Sequence, residues 1–131
     1  MLEEPDSEAV RTHVARESDV TVSVLTELET AVSLRAGWLA GTYPERRYRA
    51  YTSRLRTFRD TDPFRFRSVS ASVFETALRQ NRTAGRVHSR TLDRLHLAAM
   101  EELGLRRLMT TDSAQATAGK TLGFEVIRPG E

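Results

Sequence analysis

The chain has no cysteine, a single lysine and no long uninterrupted apolar run. Without cysteine, disulfides and thiolate metal sites are excluded, so any metal ion would need oxygen or imidazole ligands. No apolar stretch approaches the roughly 18 residues that span a membrane. Residues 1–6 are rich in acids, which is unlike a secretory signal peptide. We therefore expect a cytoplasmic protein with no membrane segment, in keeping with a reducing compartment.

The remaining composition is that of an ordinary globular protein. A chain of 131 residues, 39% hydrophobic and 29% charged, is long enough to bury a core, and we expect residues 1–131 to form a single domain. The cations are almost all arginine, and they are concentrated at Arg46, Arg47, Arg49, Arg54, Arg56, Arg59, Arg65 and Arg67. Because arginine binds phosphate well, this region predicts either a nucleic-acid-facing surface or a solvated helix face.

Hydrophobic periodicity and turn residues predict alternating helices and strands. Helices are expected over residues 6–16 (capped by Asp6 or Ser7), 26–40, 44–59, 70–80, 91–103 and 113–122, and strands over residues 19–25, 64–69, 107–110 and 124–127. A loop is expected over residues 81–85. The second helix carries an apolar stripe of Leu28, Ala31, Val32, Ala36 and Leu39. The late order of helix, strand, helix and strand indicates an α/β fold with a parallel sheet covered by helices.

Three acidic residues are candidates for a metal site, and each also has a purely structural explanation. Thr26 and Glu29 have the spacing of a capping box, in which Glu29 would reach back to the amide of Thr26. Asp112 and Gln115 have the same capping-box spacing, with Asp112 as the N-cap of the helix that follows a short strand. Asp93 lies near a helix start, where the helix dipole favours negative charge. Taken singly, each acid is explained by local helix structure.

Taken together, the three acids indicate a shared site. Glu29 and Asp112 lie at or just beyond the carboxyl ends of predicted strands, and such ends converge on one crevice in an α/β sheet. Asp93 is the only charged residue on the helix face that it shares with Leu97 and Met100, and a buried carboxylate needs a partner. A hard divalent cation would satisfy all three acids, and Mg²⁺ or Mn²⁺ suits such oxygen ligands best.

Around these residues the sequence resembles the PIN-domain family, and in particular its VapC-type toxin ribonucleases. Residues 22–29 (VSVLTELE) look like the family's second strand and the helix that carries its glutamate. Residues 91–98 (TLDRLHLA) are similar to its LDALHLA segment, and residues 108–112 (LMTTD), 118–123 (AGKTLG) and 124–127 (FEVI) resemble its ending. The resemblance implies a PIN-like three-layer fold, in which helices flank a parallel sheet.

The resemblance also implies an activity. The family hydrolyses phosphodiester bonds with a divalent cation, Mg²⁺ or Mn²⁺, so Glu29, Asp93 and Asp112 would be the catalytic, metal-binding acids and Thr110 a nearby polar residue. RNA would be the substrate, a cognate antitoxin the inhibitory partner and a homodimer the assembly. The arginine-rich helix would then face RNA or the antitoxin.

The sequence departs from the family at its start. Family members begin with a short apolar strand that ends in an aspartate and lies in the middle of the sheet, whereas residues 1–7 here resemble the segment after it. On that comparison the first strand is missing, and with it one of the expected acids. Its loss would leave a slot lined by unpaired backbone groups. A start assigned too late, a deliberately shortened chain and a natural loss are alternatives. A catalytically inactive PIN-like fragment that binds protein or RNA is the alternative function.

Overall fold

The computed structural model describes residues 7–130, which form helices and short parallel strands as the sequence predicts. The elements are α1 Ser7–Arg16, β1 Val20–Ser23, α2 Val24–Leu39, α3 Glu45–Phe58, β2 Phe64–Arg67, α4 Val73–Thr83, α5 Thr91–Glu102, β3 Arg107–Met109, α6 Ser113–Thr121 and β4 Glu125–Ile127. They fall into two compact units. Unit 1 contains Val14–Ser68, and unit 2 contains residues 7–13 and 69–130. The single-domain organisation stays a prediction.

Unit 1 contains a two-stranded parallel sheet. β1 pairs with β2 in a register that runs from Val20 opposite Phe64 to Ser23 opposite Arg67. β-branched and aromatic side chains suit this pleated surface. β2 alternates half-buried phenylalanines with exposed arginines, the pattern of a strand that is solvated on one face.

The helices of unit 1 pack around a buried tyrosine. Leu34 of α2 and Leu55 of α3 are buried, and so is Tyr43 in the connection between these helices. The Tyr43 hydroxyl donates a hydrogen bond to the Leu34 carbonyl, and its ring meets the Tyr51 ring edge-on at a centroid distance of 5.2 Å. Gly37 leaves room for this ring, because an added Cβ would lie 2.6–2.8 Å from three of its atoms.

Unit 2 contains a second parallel pair, β3 with β4, and the larger apolar core. Arg107 lies opposite Glu125, and Met109 lies opposite Ile127. α4 packs against α5 through Val73, Ala77, Ala98 and Ala99, and a second cluster joins Leu97, Met100 and Ala118. The burial of Leu97 and Met100 confirms the predicted inward face of α5.

The start of α2 differs from the prediction. The Ser23 hydroxyl accepts a hydrogen bond from the amide of Thr26 at 3.2 Å, so Ser23 is the N-cap and α2 begins at Val24. The predicted cap at Thr26, with its capping box to Glu29, is therefore wrong. The short serine side chain competes well for this role because its oxygen reaches an orphan amide of the first turn.

Two other helix predictions need correction. The predicted apolar stripe of α2 does not face the core: Leu28, Val32 and Leu39 are 61%, 59% and 64% exposed, and Leu34 is the buried residue of this helix. α4 begins later than predicted and continues through Thr83, so the predicted loop over residues 81–85 starts too early. The helix ends where Gly85 takes a φ of 63°, in the left-handed region that favours glycine.

α1 occupies almost the predicted span, although Asp6, one of its two predicted caps, lies outside the described residues. Among residues 7–130, no helix has the length and apolar character needed to cross a membrane.

Candidate active site

Asp112 lies in the turn that joins β3 to α6. Its Oδ1 accepts a hydrogen bond from the amide of Gln115 at 3.0 Å, which confirms Asp112 as the N-cap of α6. The Asp112 amide donates to the Thr110 hydroxyl at 3.1 Å, and the Thr110 amide donates to the Ile127 carbonyl at 3.1 Å. The turn is thus fixed on both sides. The Asp112 side chain is exposed, and its Oδ2 has no partner within residues 7–130.

Gln115 connects this turn to the start of α5. It is only 8% exposed, and its Nε2 donates to the backbone carbonyl of Asp93 at 3.2 Å. One residue therefore ties the N-cap of α6 to the first turn of α5. The Gln115 Oε1 is buried and accepts no hydrogen bond from the described part of the chain. A buried acceptor left in this state costs about 1–3 kcal/mol, so a donor or a cation that reached it would be favoured.

Asp93 is half-buried in the first turn of α5. Its carboxylate forms neither a hydrogen bond nor an ion pair with any residue that the structure describes. The helix dipole favours a negative charge at this position but leaves both carboxylate oxygens available. Partial burial together with an unshared carboxylate is the environment expected of an acid that binds a cation.

A buried arginine, Arg94, anchors the same turn of α5. Arg94 is 6% exposed and donates to Gln80 Oε1 at 3.4 Å and to the Ser89 hydroxyl at 3.3 Å. Desolvation by burial lowers the pKa of Arg94. Gln80 in turn donates from Nε2 to the Leu97 carbonyl at 3.4 Å. These contacts hold the first turn of α5 against α4 and so fix the position of Asp93.

Glu29 belongs to unit 1, whereas Asp93 and Asp112 belong to unit 2. It is exposed and lies in the second turn of α2. Within the described residues, no group of three or more histidine, aspartate or glutamate side chains is positioned to hold a metal ion. The structure therefore brings together the turns of Asp93 and Asp112, and the metal-binding role of all three acids stays a prediction.

The oxygen atoms at the starts of α5 and α6 fit a hard divalent cation. Carboxylates such as those of Asp93 and Asp112, and side-chain amide oxygens such as that of Gln115, are the ligand types that such cations prefer. A bound cation would supply an activated water and stabilise negative charge that develops on a phosphate. The chain's own residues supply position, because the Asp112 cap and the Gln115 bridge set where the two acids lie.

The structural roles of two residues that shape this site were not predicted. The predicted capping box, in which the Gln115 side chain would reach back to the Asp112 amide, is wrong: that amide donates to the Thr110 hydroxyl, and the Gln115 side chain binds the Asp93 carbonyl instead. Arg94 is charged, and charge ordinarily predicts exposure. The available signal was its position, three residues before Leu97 on an apolar helix.

Comparison with known proteins places the chain in a family. A family model of the PIN domain matches residues 1–120. No curated protein and no solved structure gives a match. PIN domains generally depend on divalent metal ions, and PIN nucleases act on RNA, so the match supports a nuclease-type function. Because the match covers well over half of its length, the chain belongs to the PIN domain family.

Proposed function

We propose that this chain is a divalent-metal-dependent endoribonuclease, the VapC-type toxin of a toxin–antitoxin pair. Glu29, Asp93 and Asp112 are its catalytic, metal-binding acids, and Mg²⁺ or Mn²⁺ is the cofactor. The observation that carries the proposal is the half-buried Asp93 carboxylate, which has no partner within residues 7–130 and whose backbone is tied through Gln115 to the Asp112 turn.

Some residues of the site would bind the metal ion, and others position them. The acids would hold the cation, which would neutralise charge that develops on the scissile phosphate. Gln115 and Arg94 hold the two turns in place. This matters for catalysis, which depends on acids whose positions are fixed before the substrate binds.

Metal-dependent stabilisation and RNA cleavage test the proposal together. We expect Mn²⁺ to raise the Tm of the wild-type chain, because a ligand that binds the native state stabilises it. Asp93→Asn removes the charge at nearly constant volume, so we expect it to abolish both the Mn²⁺-dependent rise in Tm and any Mn²⁺-dependent cleavage of RNA.

Glu75→Gln is the matched control, because Glu75 is an exposed acid in the first turn of α4 in the same unit. It should keep the Mn²⁺ response of the wild type. An Asp93→Asn chain that responds to Mn²⁺ as the wild type does would rule out the assigned site.

The proposed partners are an antitoxin and a second copy of the chain in the cytoplasm. Support comes from exposed apolar side chains, which are unusual when they recur on one helix. Leu28, Val32 and Leu39 are exposed on α2, and Phe74 and Leu78 are each 60% exposed on α4. Light scattering of the purified chain tests the homodimer, and co-expression with the protein encoded beside it tests the antitoxin.

The second candidate is a catalytically inactive PIN-like module that binds protein or RNA. It is favoured by the observation that no three acidic or histidine side chains within residues 7–130 are grouped for a metal ion. This candidate predicts a Tm that does not change with Mn²⁺, and RNA that stays intact under every metal condition.

A further inference from the structure

The outer side of α3 carries a concentrated positive charge. Arg46, Arg47, Arg54 and Arg56 are all exposed, and we call this set the arginine face. The only acid in α3 is Glu45, which already pairs with Arg49 at 3.0 Å. The helix therefore presents its cations to solvent almost without compensating charge.

The members of the arginine face form no side-chain hydrogen bond or ion pair with residues 7–130. Other arginines in unit 1 are engaged: Arg59 binds Glu27 through two bonds, at 2.6 and 2.7 Å, and Arg65 binds Asp62 at 2.7 Å. The guanidinium groups of the arginine face are therefore available for an external anion.

The helix holds these cations in a regular array. Arg47 and Arg54 are seven residues apart, which places them on the same side of α3 and about 10.5 Å apart along its axis. Leu55 is the buried residue of α3 and lies about 80–100° around the helix from these two arginines. The array is therefore carried by a helix whose orientation within unit 1 is set by its buried side.

We propose that the arginine face binds the sugar–phosphate backbone of single-stranded RNA, the substrate class of the proposed function on which this inference rests. Arginine presents a planar fork of donors that matches phosphate oxygens, and four neighbouring cations suit a polyanion better than a single small ligand.

The composition of the surface distinguishes RNA from an acidic protein. Protein interfaces need an apolar centre, and the large exposed hydrophobic side chains of the described residues lie on α2, α4 and α5 and not on α3. A face that is basic without an apolar centre matches phosphate recognition.

The neighbouring aromatic pair supplies a spectroscopic reporter. Tyr48 of α3 stacks on Trp38, the only tryptophan in the chain, at a centroid distance of 4.8 Å and an interplanar angle of 8°. RNA bound to α3 lies close to this pair, so its binding changes Trp38 fluorescence.

The decisive experiment measures how salt weakens RNA binding to the full chain. A labelled single-stranded RNA is titrated in EDTA, where metal-dependent cleavage is silent, at several salt concentrations. For a single strand, the slope of log K against log salt changes by about 0.7 for each phosphate contact. Arg47→Gln combined with Arg54→Gln should therefore make the slope shallower by about 1.4.

Arg106→Gln combined with Lys120→Gln removes the same charge from exposed sites in unit 2 and is the control, which should keep the wild-type slope. Equal slopes in the two double variants would overturn the proposal. The proposal would also be overturned if the Arg47→Gln and Arg54→Gln double variant lost binding to polyglutamate but kept its binding to RNA. That result would assign the arginine face to an acidic protein.

Comparing RNA binding with RNA cleavage separates this proposal from the proposed nuclease activity. Asp93→Asn tests the metal site and should leave the salt slope in EDTA unchanged. A chain that binds RNA through the arginine face but never cleaves it would support this inference and contradict the proposed activity.

Discussion

Asp112 has two roles that substitution can separate, the N-cap of α6 and a proposed metal ligand. Asp112→Asn keeps an Oδ1 that accepts the bond from the Gln115 amide at 3.0 Å but removes the charge, and asparagine caps as well as aspartate does. Asp112→Ala removes both functions. Loss of a cap costs about 1 kcal/mol, which corresponds to a Tm lower by about 3–5 °C for a chain of this size. We expect that decrease in the alanine variant and a nearly unchanged Tm in the asparagine variant.

The change of Tm in Mn²⁺ tests the proposed role of Asp112 as a metal ligand. A cation at a hundred times its Kd stabilises the native state by about 2.7 kcal/mol, so the wild-type Tm should rise by several degrees in Mn²⁺. Both variants lack the Asp112 charge and should lose this rise. Asparagine then uncouples the two roles, because it preserves stability without metal and abolishes the response to metal.

The assay is thermal unfolding followed by circular dichroism, with and without Mn²⁺. Ser23→Ala is the control, because Ser23 caps α2 in unit 1 through the Thr26 amide and its loss removes a cap without removing an acid. It should lower the Tm as Asp112→Ala does and keep the Mn²⁺ response. An Asp112→Asn chain that keeps the full Mn²⁺ response would refute the ligand role, and one as unstable as Asp112→Ala would refute the cap.

Two further predictions concern unit 1. Gly37→Ala should destabilise the chain by about 1–2 kcal/mol, because overpacking against the Tyr43 ring outweighs the gain of about 1 kcal/mol in helix propensity. In a Tyr43→Leu background the same change should become stabilising, and denaturant unfolding that shows no such reversal would contradict the packing described. The second prediction concerns the pair of Glu27 and Arg59. The hydrogen bond from Arg59 lowers the pKa of Glu27, the charge of Arg59 adds to this effect, and burial opposes it. The pair therefore stabilises the folded state fully above the pKa of an ordinary glutamate, about 4.3, and this stability is lost as the pH falls through the lower pKa of the folded state. Glu27→Gln should therefore flatten the dependence of Tm on pH below about 4.3, and a variant that keeps the wild-type dependence in thermal unfolding at a series of pH values would contradict this role of the pair.

The fold was predictable where local patterns and tertiary packing agree. The short run of apolar residues that ends in Met109 and the helix of Leu97 were placed correctly, because each combines a clear period with a terminal turn residue. The buried face of α2 was predicted wrongly, since Leu28 and Val32 have the spacing of a core face and are nevertheless exposed. Periodicity identifies an apolar side of a helix but does not say whether the same chain covers it.

The sequence predicts a set of acids for the candidate site, but it does not predict how the turns that carry them are arranged. Asp112 could be identified as an N-cap because a cap is a local event, settled by the residues from Thr110 to Gln115. The link from Gln115 to the Asp93 carbonyl joins positions twenty-two residues apart and depends on how α5 and α6 pack, so no local pattern encodes it. The same packing leaves the Asp93 carboxylate unshared within residues 7–130. A glutamine at this position holds two acids in register without adding charge between them. Gln115 is therefore the residue that makes the Asp93 and Asp112 turns one structural feature rather than two separate helix starts.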